Sequence, residues 1–352
     1  MCKPVVRDSY FLLKTLCLLL LLLTICNLHA NLDIRLRATA EYDSNVFSLS
    51  DYDFDRFKEA RAFEYIETSD DFKQKFDIRV SSQAIYRDIK ITPFAEYSFT
   101  NYMNNADKNL WNVLLGAAVV KDKFTVNGAY GYYPDTYLRK YFDTDGTTFN
   151  EKYIYDKMMW RVSSSYRYHS YVIPLLYAKY EQYHHNQYFT ENDGGAFTGG
   201  VGWRVMTRYV NADMMYYLRT FKASSDDDKI KYIIDNVKDA SYEANIYELK
   251  LRTKRFYHTL SDFRIYSNLK YEDRYFQSRI PLAIDLYHTS RNDKITTLNT
   301  GVDLWLTKAF SLKLDYQYRT RKSTSDYPAV SRDKDFDKYQ LSTMLEYNIN
   351  IF

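Results

Sequence analysis

Hydrophobic and polar residues alternate with a period of two along most of this chain. From Leu32, the residues Leu32, Ile34, Leu36, Ala38, Ala40 and Tyr42 fall on one side, and Asp33, Arg35, Arg37, Thr39 and Glu41 on the other. Further on, Phe310, Leu312, Leu314, Tyr316 and Tyr318 alternate with Ser311, Lys313, Asp315, Gln317 and Arg319. The last segment sets Tyr339, Leu341, Leu345, Tyr347, Ile349 and Ile351 against Gln340, Ser342, Glu346, Asn348 and Asn350. Successive side chains of a strand point to opposite faces, so each segment predicts a strand with one apolar and one polar face. These runs exceed the usual soluble strand of about five or six residues. They match the roughly nine to eleven that cross a bilayer at a tilt.

The same reading gives about fourteen segments, centred near Leu36, Ile78, Ala95, Ala117, Gly128, Val162, Leu176, Val201, Met214, Ile246, Ile265, Val302, Leu314 and Leu345. Alternation is poor around Leu176 and Ile246, which predicts a bulge or a shifted register there. Tight links are expected near Arg87-Asp88, Lys121-Asp122-Lys123, His169-Ser170, Thr207-Arg208, Thr253-Lys254-Arg255 and Thr307-Lys308-Ala309. Longer polar stretches separate them: 43–70, 101–107, 134–152, 184–193, 221–239, 276–293 and 322–337. Strict alternation of short and long links predicts a single all-β domain, an antiparallel up-and-down transmembrane barrel with short periplasmic turns and long extracellular loops. A β-sandwich gives no reason for it. The stretch 134–152 is the loop expected to fold inward.

Composition sharpens this picture. The chain has 37 tyrosines and 21 phenylalanines but only 10 glycines. Amphipathic rings favour the headgroup level of a membrane, whereas a soluble core would have to satisfy every phenol hydroxyl. Beyond residue 30 no run approaches the about 20 apolar residues of a membrane helix. A barrel needs only alternate residues to be apolar.

Residues 1–30 predict a cleaved signal peptide: Lys3, Arg7 and Lys14 precede an apolar run from about Leu16 to Ile25, and cleavage is expected after Ala30. A rival reading, lipid attachment at Cys26, has Ile25 where a small residue should stand. The barrel is then 31–352. Cys2, Cys17 and Cys26 all lie in the leader, so disulfides, thiolate metal sites and cysteine nucleophiles are excluded from the rest. Outside the leader 45 basic residues meet 44 acidic ones, with no basic run suited to nucleic acid.

Two short segments resemble known proteins. The terminal Phe352 resembles the aromatic residue that outer-membrane proteins present to the barrel-assembly machinery, although Ile351, Ile349 and Tyr347 carry the apolar face. Ala40-Glu41-Tyr42-Asp43-Ser44-Asn45-Val46-Phe47 resembles the opening of β-barrel porins found with exopolysaccharide systems, and is similar to the barrel halves of surface-lipoprotein assembly modifiers. The resemblance implies the barrel class and transfers no functional residue. It implies as partners the lipid and lipopolysaccharide of a bacterial outer membrane and, through Phe352, the assembly machinery.

Candidate chemistry is sparse. His288-Thr289-Ser290-Arg291-Asn292 resembles the histidine–serine stretch of outer-membrane phospholipases, but lacks its glycine, and Arg291 interrupts it. His184-His185 adjoins Glu181 and Glu191, yet adjacent side chains on an extended chain point apart. Asp51-Tyr52-Asp53-Phe54-Asp55 starts like a calcium loop, but Arg56 and Ala62 stand where glycine and glutamate are needed. Asp226-Asp227-Asp228 reads as a solvated run. No enzyme activity, cofactor or metal is expected.

The polar face is the better candidate. Arg35, Arg37, Lys75, Asp77 and Arg79 lie on it near the start, Arg161 and Arg219 in the middle, and Lys313, Asp315 and Arg319 near the end. They are the expected pore-lining residues of a porin-like channel for small hydrophilic solutes. The alternative is a non-conducting barrel whose extracellular loops contact a surface partner such as exported polysaccharide.

Overall fold

The computed structural model describes residues 31–142, 149–224, 239–258 and 261–351. The expected leader, Asp226-Asp227-Asp228 and Phe352 lie outside the described residues. Fourteen strands close into one barrel. They are β1 (Asn31–Asp43), β2 (Asp71–Tyr86), β3 (Ile89–Tyr102), β4 (Leu110–Lys121), β5 (Phe124–Phe142), β6 (Asn150–Tyr166), β7 (Val172–His185), β8 (Gly194–Met206), β9 (Val210–Ala223), β10 (Tyr242–Thr253), β11 (Asp262–Phe276), β12 (Asn292–Trp305), β13 (Phe310–Thr324) and β14 (Phe336–Ile351). Each pairs antiparallel with its sequence neighbours. β14 returns to β1 with Leu32 opposite Ile351 and Asp43 opposite Gln340, so no edge is left unpaired.

The register carries the alternation around the circle. Arg35 lies opposite Arg79, Arg37 opposite Asp77 and Thr39 opposite Lys75, which puts the charged rows inside. Phe76, Ile78, Leu176, Val201, Leu314 and Leu345 point out and are exposed. So extensive an outward apolar belt has its counterpart solvent in hydrocarbon. Outward rings touch from strand to strand: Trp111 stacks with Tyr97 and meets Tyr132 edge-on, while Trp160 lies between Tyr130 and Tyr180.

Three expectations need correction. β7 and β10 keep a continuous register with both neighbours, with no bulge. Their alternation is blurred because apolar residues also face inward: Ile173 is buried, and Ile246 packs with Tyr242 and Ala244 beneath Tyr217, Phe221 and Phe276. The link after β10 spans 254–261, no shorter than the 186–193 loop, so short and long links do not alternate strictly.

Thirdly, the described part of 134–152 is mostly strand, because β5 runs on to Phe142 and β6 begins at Asn150, while 143–148 lie outside the described residues. The register shifts lie here, between Tyr133 and Thr136 and between Tyr137 and Lys140. Pro134 has no N–H for the ladder, and Asp135 takes φ 45° and gives its N–H to the Asp156 carboxylate at 2.9 Å.

Among the described residues, the first loop, 44–70, packs inward. Its Val46, Phe47, Leu49 and Ile66 are buried in a cluster with Tyr137 of β5, joined by Phe54, Phe57 and Tyr102. The Asn45 side chain holds the loop's first turn by donating to the Leu49 carbonyl and accepting from its N–H, both at 2.8 Å. Ser50 then caps helix α1 (Asp51–Lys58), accepting from the Asp53 N–H at 3.1 Å. The loop reaches past three intervening strands to β5, where Arg139 pairs with Asp53 at 3.2 Å and Tyr65 donates to the Lys140 carbonyl at 3.2 Å. On its other side α1 packs on a second short helix, α2 (Ala329–Lys334), in the 325–335 loop.

Candidate functional site

The inner wall is polar and its charges pair sideways. Arg37 lies 2.9 Å from Glu96 and 3.7 Å from Asp77, and Lys75 is 3.0 Å from Asp77, which also accepts from Ser98. Arg79 approaches Glu96 at 3.5 Å with its guanidinium 3.8 Å over the Phe94 ring. Arg35 sits beside Glu346 at 3.8 Å. Across the barrel, Arg219 and Lys179 share Glu181 at 3.0 and 2.9 Å; on β13, two strands from β1, Lys313 pairs with Asp315 at 3.1 Å. Arg161 is exposed on the inner row, and Arg319 lies by Phe336, its ring centre 5.8 Å away.

The sequence-selected residues therefore all face inward but do not converge. Arg35, Arg37, Lys75, Asp77 and Arg79 form one patch on β1 and β2, while the others are spread around the circle. Among the described residues, every ion pair between wall strands stays within one strand or joins strands with at most one strand between them.

The interior is hollow toward both rims. At the short-turn rim a cavity of about 430 Å³ is lined by Asn127, Ser163, Arg167, Asp213 and Lys250. Small inward residues make the room, and at Gly200 a Cβ would overlap the Tyr217 ring. At the long-loop rim a vestibule of about 1430 Å³ opens between the first loop, β5–β7, β9–β11, the 277–291 loop, β13 and α2.

The vestibule is cationic and rich in tyrosine. Arg139, Arg219, Arg274, Arg291, Arg319, Arg321 and Lys334 line it among Tyr65, Tyr141, Tyr153, Tyr183, Tyr242 and Tyr287. Burial, with the charges of Arg139, Arg291 and Arg321 nearby, pushes the Lys334 ammonium down to about 7. Burial and several cations, first among them Lys338, likewise push Lys108 down to about 7; it donates to the Leu138 carbonyl at 2.8 Å beneath Phe47.

Of these cations, the alternation placed Arg219 and Arg319 on the inner face, and Arg321 continues the row of Arg319. Arg274 carries the same signal, in phase with Lys270 and Glu272. Arg291 and Lys334 carry none, because a loop has no period to read.

The catalytic and metal candidates do not assemble. His288 Nδ1 bonds Asp285 at 2.8 Å, while Ser290 Oγ lies 3.4 Å from Ser325 Oγ instead of on the histidine. Burial would raise the Asp285 carboxyl, but the His288 bond and charge, with donors from Asp239 and Ser278, hold it below its usual value. His185 turns inward to Asp193 at 3.0 Å, with His184 on the opposite face. Asp51 and Asp53 form the first turn of α1, not a calcium loop. No group of three or more metal-ligating side chains suited to an ion occurs among the described residues.

A closed fourteen-stranded antiparallel barrel, apolar outside and charged inside, defines a transmembrane β-barrel of the bacterial outer-membrane class. No protein-family model matches the chain, and no curated protein matches it. Among solved structures it is similar to a bacterial polysaccharide outer membrane secretin, at 7% identity and TM-score 0.45 over 90% of this chain and 98% of that one. It is also similar to an anion-selective porin from Comamonas acidovorans, at 8% identity and TM-score 0.43 over 91% and 99%. The outer membrane channel DcaP of Acinetobacter baumannii matches at 10% identity and TM-score 0.45 over 91% and 97%. At such values the likeness transfers no residue or solute to this chain.

Proposed function

We propose that the barrel is a passive channel for small hydrophilic solutes, without enzymatic activity. The observation that carries this reading is the direction of the ion pairs. A barrel filled by its own salt bridges would link opposite walls. Here the wall pairs run around the circumference and leave hollow space toward both rims. Fourteen strands favour the same reading, since about eight strands give an interior that side chains fill and sixteen to eighteen leave a channel.

The surplus of Arg and Lys in the vestibule favours anions, because fixed charges in a confined passage concentrate counter-ions. Purified protein in planar bilayers should give discrete conductance steps in potassium chloride. Absence of conductance, with folded protein in the membrane, would overturn the channel and favour a barrel acting through its long loops.

A further inference from the structure

We infer that the long-loop vestibule contains a binding site for small, multiply charged oxyanions, carboxylates or phosphates, built by Arg139, Arg274, Arg291, Arg321 and Lys334. It names a solute class for the channel proposed above and rests on that reading only for its transport consequence.

The five cations come from separate parts of the fold: Arg139 from β5, Arg274 from β11, Arg291 from the 277–291 loop, Arg321 from β13 and Lys334 from α2. All five line one cavity. Each guanidinium lies on an aromatic ring: Arg139 at 4.8 Å from Tyr141, Arg274 at 4.3 Å from Tyr242, Arg291 at 4.3 Å from Phe276 and Arg321 at 4.7 Å from Phe336. Stacking fixes the plane of a guanidinium. The Arg291 fork is already held by Asp293 and the Tyr287 carbonyl, and Arg274 gives Nε and Nη2 to Glu272. By contrast, Arg139 donates Nη1 to Asp53 and Arg321 donates Nε to a carbonyl, which leaves their other N–H groups facing the cavity. A planar fork of donors matches a carboxylate or phosphate in two-point contact.

Protein carboxylates neutralise only part of this charge. Arg139 pairs with Asp53 at 3.2 Å, Arg274 with Glu272 at 2.6 Å and Arg291 with Asp293 at 2.6 Å. Arg321 donates Nε to the Lys334 carbonyl at 2.6 Å and shares the charge of Asp293 with Arg291; among the described residues no carboxylate lies within ion-pair distance of it or of Lys334. Asp333, the nearest in sequence, accepts instead from Tyr287 at 2.7 Å and Arg332 at 2.8 Å. Uncompensated like charges in a partly enclosed site repel one another, and an anion bridging them removes that cost. Burial is the main reason the Lys334 ammonium is depressed, and the charges of Arg139, Arg291 and Arg321 add to it. A neutral sugar or a cation gains nothing comparable.

The test uses the detergent-solubilised full barrel and two probes, citrate and inorganic phosphate, at constant ionic strength. Isothermal calorimetry should show saturable binding of at least one. The Arg321→Gln/Lys334→Met double variant, checked for folding by its heat-modifiable electrophoretic mobility, should bind about tenfold more weakly or worse. Citrate binding without phosphate binding assigns a carboxylate solute, and the reverse assigns a phosphate. In bilayers the same probes should block chloride current more strongly from the long-loop side than from the other. Calorimetry decides the site even if the barrel does not conduct, so the two proposals fail separately. No binding by the wild type, or equal binding by the folded double variant, would overturn the site.

Discussion

Single residues in this barrel are governed by which side of the wall they face. Leu345 and Met344 are adjacent on β14, yet Leu345 is exposed outward, whereas Met344 faces inward opposite Thr39 and Lys313. Arginine at Leu345 would place a charge in hydrocarbon and should cost about 2–4 kcal/mol near the midplane. Met344→Arg, entering a polar hollow, should cost much less. Denaturant titration of both variants in lipid vesicles reads the difference, and equal losses would contradict the register.

Lys334 illustrates charge at the same scale. It is faced by Arg139, Arg291, Arg321 and Asp333, with its ammonium 5.0 Å from the Tyr287 ring centre. Its ammonium, already pushed down to about 7, is charged below that pH and loses its proton above it. A bound anion favours the charged form, so binding above pH 7 takes up a proton and weakens as pH rises. Citrate or phosphate should therefore bind more tightly at pH 6 than at pH 9 relative to Lys334→Met. A pH dependence identical in both proteins would mean that Lys334 does not carry the effect.

Among the elements, the first loop shapes the passage most. Phe47, Leu49 and Ile66 bury themselves against β5 instead of extending into solvent, and the Asp53–Arg139 pair ties α1 to the wall. Replacing 47–66 with a short Gly/Ser linker should raise single-channel conductance, because the linker cannot fill the same space. Asp53→Ala alone should leave the loop in place through its apolar cluster while freeing one guanidinium, and so increase anion preference. Unchanged conductance in the deletion would mean that the narrowest point lies deeper, at the Lys179–Glu181–Arg219 level. The loop's apolar residues were visible in the sequence, but their spacing follows no period, so their contact with Tyr137 was not. The inward role went instead to 134–152, whose polar residues conceal an interrupted strand.

At the scale of the whole molecule, a formal net charge of only +3 conceals an uneven interior. Arg35, Arg37 and Arg79 sit with Asp77 and Glu96 on one side, while the vestibule concentrates the cations. Replacing Arg35, Arg37 and Arg79 together with glutamine should move the reversal potential in a salt gradient toward cation preference. The wild-type anion bias should shrink as salt rises, since the Debye length falls to about 3 Å at 1 M. A reversal potential unaffected by the triple change would place selectivity in the vestibule alone.

The number of strands, their order, the face each side chain takes and the membrane environment were determined by the sequence itself. Each follows from the local period-two pattern and from tight turns that join successive strands into hairpins, with longer links between those hairpins. Closure adds the pairing of β1 with β14 without requiring any new local signal. What tertiary structure alone decided is which charges share a space. Arg139 and Lys334 lie far apart in the chain, and they face one cavity because the barrel closes and the first loop and α2 turn over its mouth. Alternation tells a residue's face but not its height along the barrel axis or its neighbour across the hollow. Those depend on the register of every intervening strand and on loops whose packing obeys no period.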